Sequence, residues 1–301
     1  MQISNFRCVL CIPVTARTLF NNLNNCRPKC FSTASGSPIE SGNEKETHFG
    51  FQTVRESEKV QKVYEVFENV ANKYDVMNDA MSFFVHRIWK DIFIQRLAPT
   101  PGTNLLDVAG GTGDIAFRYL KYLKNLPSTN GDSATLPSSV TVCDINRAML
   151  NVGRERAEKQ GCREPEINWL EGDAENLPVE SNMFTAYTIA FGIRNCTHVD
   201  KVLDEAYRVL KPGGRFMCLE FSHVNNEVLQ WIYDQYSFQM IPVMGQVIAG
   251  DWKSYQYLVE SIRKFPNQED FKGMIQSSGF SCVSYENLTF GVVSIHSGFK
   301  L

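Results

Sequence analysis

The chain has 301 residues, 43% of them hydrophobic, with a formal charge of −3. That length can bury one large core with additions, and no stretch reaches the roughly 18 consecutive apolar residues of a membrane-spanning helix. The first 39 residues contain four basic residues and no acid, so the remainder carries a formal −7, which argues against a nucleic-acid partner.

Arg7, Arg17, Arg27 and Lys29 stand among Ser, Thr, Asn and apolar residues, and the first acid is Glu40. This composition predicts a mitochondrial transit peptide over residues 1–39. Cys8-x-x-Cys11 and Cys26-x-x-x-Cys30 have no His or further Cys pair at ligand spacing, so no metal site is expected. The later cysteines, 143, 162, 196, 218 and 282, lack paired spacing and fit reduced thiols. Residues 40–55, rich in Ser, Gly and Glu, are expected as a linker, followed by one domain over 56–301.

From Glu56 a helical period runs through Val60, Val63, Tyr64, Phe67, Val70, Ala71 and Tyr74. A second helix is predicted over 85–97, stopped by Pro99 and Pro101. Together, residues 56–98 form an expected helical cap over the site. Strands are predicted at 104–109, 140–144, 167–171, 184–191 and 215–221, and helices at 113–124, 146–160, 198–210 and 267–278. Strand and helix alternate, which gives an α/β fold with a mostly parallel sheet covered on both faces. The segment 125–139 is a surface insertion. Residues 281–288 and 292–299 around Gly291 predict a terminal antiparallel hairpin.

The first strand leads into Asp107-Val108-Ala109-Gly110-Gly111-Thr112-Gly113-Asp114. Its glycines allow close backbone approach, and the following helix N-terminus offers free N–H groups. Gly111-x-Gly113-x-x-Ala116 satisfies a dinucleotide fingerprint for NAD or FAD. Read as Asp107-x-Ala109-x-Gly111-x-Gly113, the same stretch is the acidic loop of S-adenosylmethionine (SAM) methyltransferases. Asp144 ends the second strand and is suited either to ribose hydroxyls or to a plain helix cap. Gly172-Asp173-Ala174, following the third strand, stands where methyltransferases hold the adenine amino group. The only Tyr-x-x-x-Lys, Tyr207 to Lys211, runs into a turn and is a poor hydride-transfer pair. Asp107, Gly111, Thr112, Gly113, Asp144, Asp173 and Ala174 are therefore expected to bind SAM.

Two longer stretches make the resemblance specific. Tyr74-Asp75-x-Met77-Asn78-x-x-Met81-Ser82-x-x-x-His86-x-x-Trp89 resembles the first signature of the ubiquinone/menaquinone biosynthesis C-methyltransferases, and Arg208-Val209-Leu210-Lys211-Pro212-Gly213-Gly214-x-Phe216-x-x-Leu219-Glu220-x-Ser222 resembles the second. Phe191-Gly192-Ile193-Arg194-Asn195 and Ser254-Tyr255-x-Tyr257-Leu258-x-Glu260-Ser261-Ile262 are similar to the same family. The resemblance runs from about His48 to Leu301. Phe84-Val85 depart from the Gly-aliphatic pair of many members, and Ala190 replaces a Ser of some bacterial ones.

The resemblance implies a class I SAM-dependent methyltransferase fold and C-methylation of a polyprenyl methoxy-benzoquinol in ubiquinone synthesis. It further implies a peripheral position on the matrix side of the mitochondrial inner membrane and membership of a multi-protein coenzyme Q assembly. A homodimer is a further option, and a scaffold without turnover is the non-enzymatic alternative. An aromatic hydroxyl has a pKa near 10, so its oxygen must be stabilised or its proton removed. Arg194 and Asn195, beyond a sheet strand, are assigned to that role, Arg194 lowering the phenol pKa and Asn195 orienting the oxygen or a water, while a water, Asp75 or His86 receives the proton. The alternative is that Arg194 pairs with an acid at the sheet edge. Tyr74, Asn78 and His86 are assigned to the substrate, with a structural histidine as the alternative at position 86. Trp231, Ile232, Tyr236, Phe238, Met240, Ile241, Val243 and Met244 are a core, a dimer face, a tail channel or a membrane patch.

Overall fold

The computed structural model describes residues 45–70, 74–127 and 137–301. The basic leader, the start of the linker and most of the 125–139 insertion lie outside the described residues. Among the described residues β1 (Glu46–Phe49) and β2 (Gln52–Arg55) come first, then α1 (Glu56–Val70), α2 (Tyr74–Ser82) and α3 (Val85–Leu97). The alternating core follows: β3 (Asn104–Val108), α4 (Asp114–Lys124), β4 (Ser139–Asp144), α5 (Arg147–Lys159), β5 (Ile167–Glu171), β6 (Phe184–Ala190), α6 (Val199–Val209) and β7 (Leu210–Phe221). After it come α7 (Glu227–Gln235), α8 (Ile241–Met244), α9 (Trp252–Lys264), α10 (Gln268–Ser277), β8 (Ser281–Leu288) and β9 (Val293–Phe299).

Seven strands form one sheet in the order β5-β4-β3-β6-β7-β9-β8. The first five in that order are parallel, and β9 runs antiparallel to both β7 and β8. The two-residue strand period sorts side chains between two cores. Leu105, Val142, Met217 and Leu219 face Phe93 of α3, Tyr119 of α4 and Leu150 of α5. Leu106, Cys143, Phe216 and Cys218 face Val202 and Leu203 of α6 and Phe271 of α10. Within this apolar sheet Asp107 is fully buried, a costly position that marks the loop above it. The chain steps outward from β3 to β5 and then returns to β6. This reversal leaves a crevice at the carboxyl ends of β3 and β6, where ligands of open α/β sheets bind.

The fold differs from the expected one in one place and adds detail to it in two others. Residues 46–55, expected as linker, form an antiparallel hairpin. Phe49 stacks on Tyr257 at 4.1 Å, and the Phe51 N–H donates to Glu260 Oε2 at 2.9 Å. Local composition hid this hairpin because its stabilising partners lie some 200 residues away. Helix α3 does end at Leu97, but Ala98 makes the turn itself, in the left-handed region with its N–H on Ile94 O. The long apolar stretch after β7 is helical, with π-helical turns at 236–240 and 245–249 on either side of Pro242, which cannot donate a helical hydrogen bond.

Candidate active site

The loop after β3 is shaped by two left-handed glycines, Gly111 at φ 55° and Gly113 at φ 83°. A Cβ on Gly110 would sit 2.7 Å from Val142 and 2.8 Å from Asp107 Oδ2, so the loop lies directly on the strands. Asp144 fixes its height: Oδ2 accepts from the Gly111 N–H and Oδ1 from the Asn146 N–H, each at 2.8 Å. One carboxylate thereby ties the β3–α4 loop to the start of α5.

Above this loop lies a cavity of about 370 Å³, walled by Asp107, Gly111, Thr112, Asp144, Asp173 and Ala174 and covered by Glu56, Val60 and Tyr64 of α1. Gly113 is not on this wall. A Cβ there would meet the Trp169 ring at 2.7 Å, so this glycine makes room for an indole behind the loop. Thr112 lines the cavity, but its hydroxyl accepts from Arg156 at 3.1 Å. The other five expected cofactor residues are brought together around one space.

Electrostatics decide what this space can hold. Asp107 accepts from Thr188 at 2.8 Å through Oδ1, while Oδ2 is buried with no hydrogen-bond partner among the described residues. Burial pushes Asp107 up to about 7 against the Thr188 bond, with the Asp114 and Asp144 charges adding to the rise. Burial likewise pushes Asp144 up to about 6, opposed by its bonds to the Asn146 and Gly111 amides. For Asp114, burial is outweighed by Lys90 and Arg118, which hold it below the ordinary carboxylate range. An orphaned buried acceptor and several carboxylates suit a cationic ligand with hydroxyls. A pyrophosphate needs the free N–H groups of such a loop, and here Asp144 already engages Gly111. The residues therefore fit SAM and disfavour a dinucleotide.

The cover is tied down by polar contacts. His198 bridges Glu175, with Nδ1 2.7 Å from Oε2, and Glu56 of α1, with Nε2 3.1 Å from Oε1. Lys59 donates to the Cys196 carbonyl at 2.8 Å. Glu56, Lys59, Glu175 and His198 were not singled out from sequence, because their pairing exists only once α1 folds over the β6–α6 loop.

A second cavity of about 120 Å³ adjoins the first, and Lys90, Phe191 and Asn195 line both. Asn78 and His86 reach it from the α2–α3 cap, as do Tyr236, Tyr255, Tyr257 and Leu258 from the far side. The Tyr74 side chain lies outside the described set. Arg194 also lines it, but as the alternative reading has it, paired with a sheet-edge acid: its side chain is 5% exposed and bonds Glu220, itself 1% exposed, at 2.9 Å. Its Nε is buried without a partner. Asn195 accepts from the Tyr257 hydroxyl at 3.0 Å, so the N-terminal hairpin braces the junction through Phe49 and Tyr257.

Two measurements follow from this geometry. The folded chain holds protons on Asp107 more tightly than the unfolded chain, so its burial penalty is absent below about pH 4 and complete above about pH 7. The unfolding free energy of Asp107→Asn relative to wild type should therefore rise by roughly 2–4 kcal/mol from about pH 4 to about pH 8. A flat difference would show an ordinary carboxyl. Arg194→Ala strands the Glu220 charge and should cost about 3–5 kcal/mol in urea unfolding, most of it recovered in Arg194→Met/Glu220→Met. Equal losses in both variants would show that the pairing is unimportant.

Residues 53–300 match the family model described as the ubiE/COQ5 methyltransferase family. The chain is 68% identical over 273 residues to the mitochondrial 2-methoxy-6-polyprenyl-1,4-benzoquinol methylase of Drosophila melanogaster, covering 89% of each chain. It is 58% identical over 278 residues to the protein of that name from Homo sapiens, covering 85% of each. Among solved structures, a SAM-dependent methyltransferase of Thermotoga maritima, described as a possible histamine N-methyltransferase, superposes with a TM-score of 0.54 at 18% identity, covering 79% of this chain and 99% of that one. At that identity the likeness concerns the fold. The family match spans residues 53–300 and includes every loop that walls the two cavities, so this chain belongs to the ubiE/COQ5 methyltransferase family.

Proposed function

We propose that this chain methylates a ring carbon of a polyprenyl methoxy-benzoquinol, with SAM as methyl donor, in mitochondrial ubiquinone synthesis. The observation that carries the reading is the shared wall: an acid-lined cavity suited to SAM meets a largely apolar cavity at Lys90, Phe191 and Asn195. The methylase relatives at 58% and 68% identity support the substrate class. SAM supplies a methyl group on a positively charged sulfur, already activated for transfer.

The protein's task is then to bind, align and tune the acceptor. Asp144 and Asp173 hold hydroxyl and amino groups of the cofactor, and the orphaned oxygen of Asp107 accepts from a cationic group. Ala174, Gly111 and Thr112 shape the space around it. Across the junction, Asn195 gives its carbonyl oxygen to Tyr257, which leaves its amide nitrogen to donate to a ring oxygen. Arg194 Nε–H is a second donor. Because Glu220 compensates the Arg194 charge, Arg194 contributes a directed hydrogen bond more than a free field. Asn78, which lines the smaller cavity, contacts the ring. Holding the two reactants in line in a closed space supplies the main acceleration.

The polyprenyl chain leaves the smaller cavity beside Tyr236, Met81 and Leu258. Around that side Phe83, Phe84, Trp231, Ile232, Met240 and Val247 are all at least half exposed. Phe83 lies 6.1 Å from the Tyr236 ring, which joins the α2–α3 turn to this helical face. Apolar exposure on this scale supports peripheral contact with a membrane, and no described helix is long and apolar enough to cross one. The relatives' mitochondrial names and the acid-free leader support the compartment. The matrix side of the inner membrane and a place in a coenzyme Q assembly complete the proposal.

Purified protein should melt higher with SAM by mass action and be unmoved by NAD or NADP. With SAM and a reduced polyprenyl methoxy-benzoquinol it should yield a ring-methylated product by mass spectrometry. Stabilisation by NAD would overturn the cofactor, and SAM binding without methyl transfer would favour a scaffold. For the membrane face, Phe84 at φ 65° occupies a backbone region that favours glycine, so Phe84→Gly removes an exposed ring without straining the fold. Phe84→Gly combined with Trp231→Ser should lower co-sedimentation with anionic liposomes several-fold. Unchanged sedimentation, together with a shift from dimer to monomer, would assign the face to a second copy.

A further inference from the structure

His86 and Asp79 form a dyad at the wall of the smaller cavity. His86 is 7% exposed, and its Nε2 lies 2.8 Å from Asp79 Oδ1. Asp79 is gripped on the other side by Arg87, with Nε donating to Oδ1 and Nη2 to Oδ2, each at 2.7 Å. The Arg87 bond holds the Asp79 carboxyl at about 2 despite some burial, with His86 helping. An ionised carboxylate only accepts hydrogen bonds, so neutral His86 must carry its proton on Nε2. Its Nδ1 is then a bare acceptor, and it is buried with no hydrogen-bond partner among the described residues.

The backbone is bent to make this pair. Phe83 and Phe84 are both left-handed, at φ 49° and 65°, and reverse the chain so that the first turn of α3 folds back onto α2. The Phe84 N–H donates to Asp79 O at 3.0 Å, and the His86 N–H to Ser82 Oγ at 3.2 Å. Two consecutive non-glycine residues in this region are costly, and such strain collects at functional sites.

The surroundings leave few other proton acceptors. No Asp or Glu lines the smaller cavity among the described residues. Lys90, one helical turn after His86, is paired with Asp114 at 2.7 Å, and Arg194 with Glu220. Burial pushes Tyr233, Tyr236 and Tyr257 above the ordinary phenol range, and Tyr236 and Tyr257 donate to Met81 O and Asn195 Oδ1. Burial and the Lys90 charge lower His86, against the pull of Asp79 and Asp114, which favours its neutral form.

We propose that His86 Nδ1 is the general base that takes the hydroxyl proton of the aromatic acceptor, with Asp79 and Arg87 as positioning residues that fix its tautomer. The inference rests on the methyltransferase reading above. In the step the O–H bond breaks and an Nδ1–H bond forms. The electron pair left on oxygen is delocalised onto the ring carbon that takes the methyl. When that carbon's own hydrogen leaves to solvent as a proton, aromaticity returns and His86 gives its proton back to the oxygen. One proton is released overall, which matches the conversion of a sulfonium to a neutral thioether.

The test is a single-turnover methylation of the reduced quinol by the full chain, with both ligands saturating, across pH. The wild-type rate should rise through the imidazole titration. His86→Gln should bind SAM within about twofold of wild type, turn over about 10²–10⁴-fold more slowly near neutral pH, and lose that titration. His86→Gly should recover rate with added imidazole. Asp79→Asn, which keeps the histidine but can donate to Nε2, should lose rate with SAM affinity preserved. A His86→Gln variant with wild-type rate and pH profile would overturn the proposal. So would a slow variant that keeps the wild-type titration, or a His86→Gly variant that imidazole does not rescue while SAM still binds. Failure of the wild-type chain to methylate the quinol at all would instead overturn the function on which the proposal rests.

Discussion

A single carboxylate, Asp144, holds the larger cavity in shape. It accepts from the backbone of Gly111 in the β3–α4 loop and of Asn146 at the start of α5, each at 2.8 Å. Together with the Gly110 N–H, which donates to Cys143 O at 3.2 Å, it sets the height of the glycine loop above the sheet. The cost is a half-buried acid pushed up to about 6 by burial. A ligand that brings positive charge and hydroxyls relieves part of that cost, so loop geometry and ligand preference have one physical origin.

The same economy of charge extends across the site. Lys90 is paired with Asp114, Arg194 with Glu220, Arg87 with Asp79, and His198 lies between Glu175 and Glu56. The cations at the cavities' edges are thus compensated, while the Asp107 and His86 acceptors stay buried and unpaired. Buried ion pairs contribute little net stability but are costly to break singly. They hold the side chains in fixed positions, and the unpaired acceptors define where a ligand can gain binding energy. Catalysis by positioning requires this rigidity.

The cover over the crevice is assembled from parts distant in sequence. Helix α1 is tied to the β6–α6 loop by Glu56–His198 and Lys59–Cys196, and the N-terminal hairpin presses Phe49 onto Tyr257, which donates to Asn195. Asn195, one of the three residues shared by both cavities, is therefore steadied from the N-terminal hairpin. On the opposite side, helix α7 turns Tyr233 towards the smaller cavity and leaves Val228, Trp231 and Ile232 exposed, and the strained Phe83–Phe84 turn stands near its end. The smaller cavity lies between the sheet edge and a partly exposed apolar face, an arrangement suited to an acceptor with a reactive head and a long apolar tail.

Much of this was legible from sequence because it is local. The strand–helix alternation, the limits of α3, the terminal hairpin and the glycine loop follow from short-range periodicity and turn chemistry. Asp107, Asp144 and Asp173 could be assigned because each ends or follows a strand, and parallel strands deliver their ends to one edge. The ordered signatures identified the family. Other features depended on partners far along the chain. Gly113 proved to serve Trp169, residues 46–55 became a hairpin through Tyr257 and Glu260, and Arg194 found its charge balanced by Glu220. The sequence could place His86 on a helix; only the reversal at Phe83 and Phe84 decided that it meets Asp79. Pairings across tens or hundreds of residues carry no local periodicity, and only the packed chain determines which charges are compensated and which acceptors remain open.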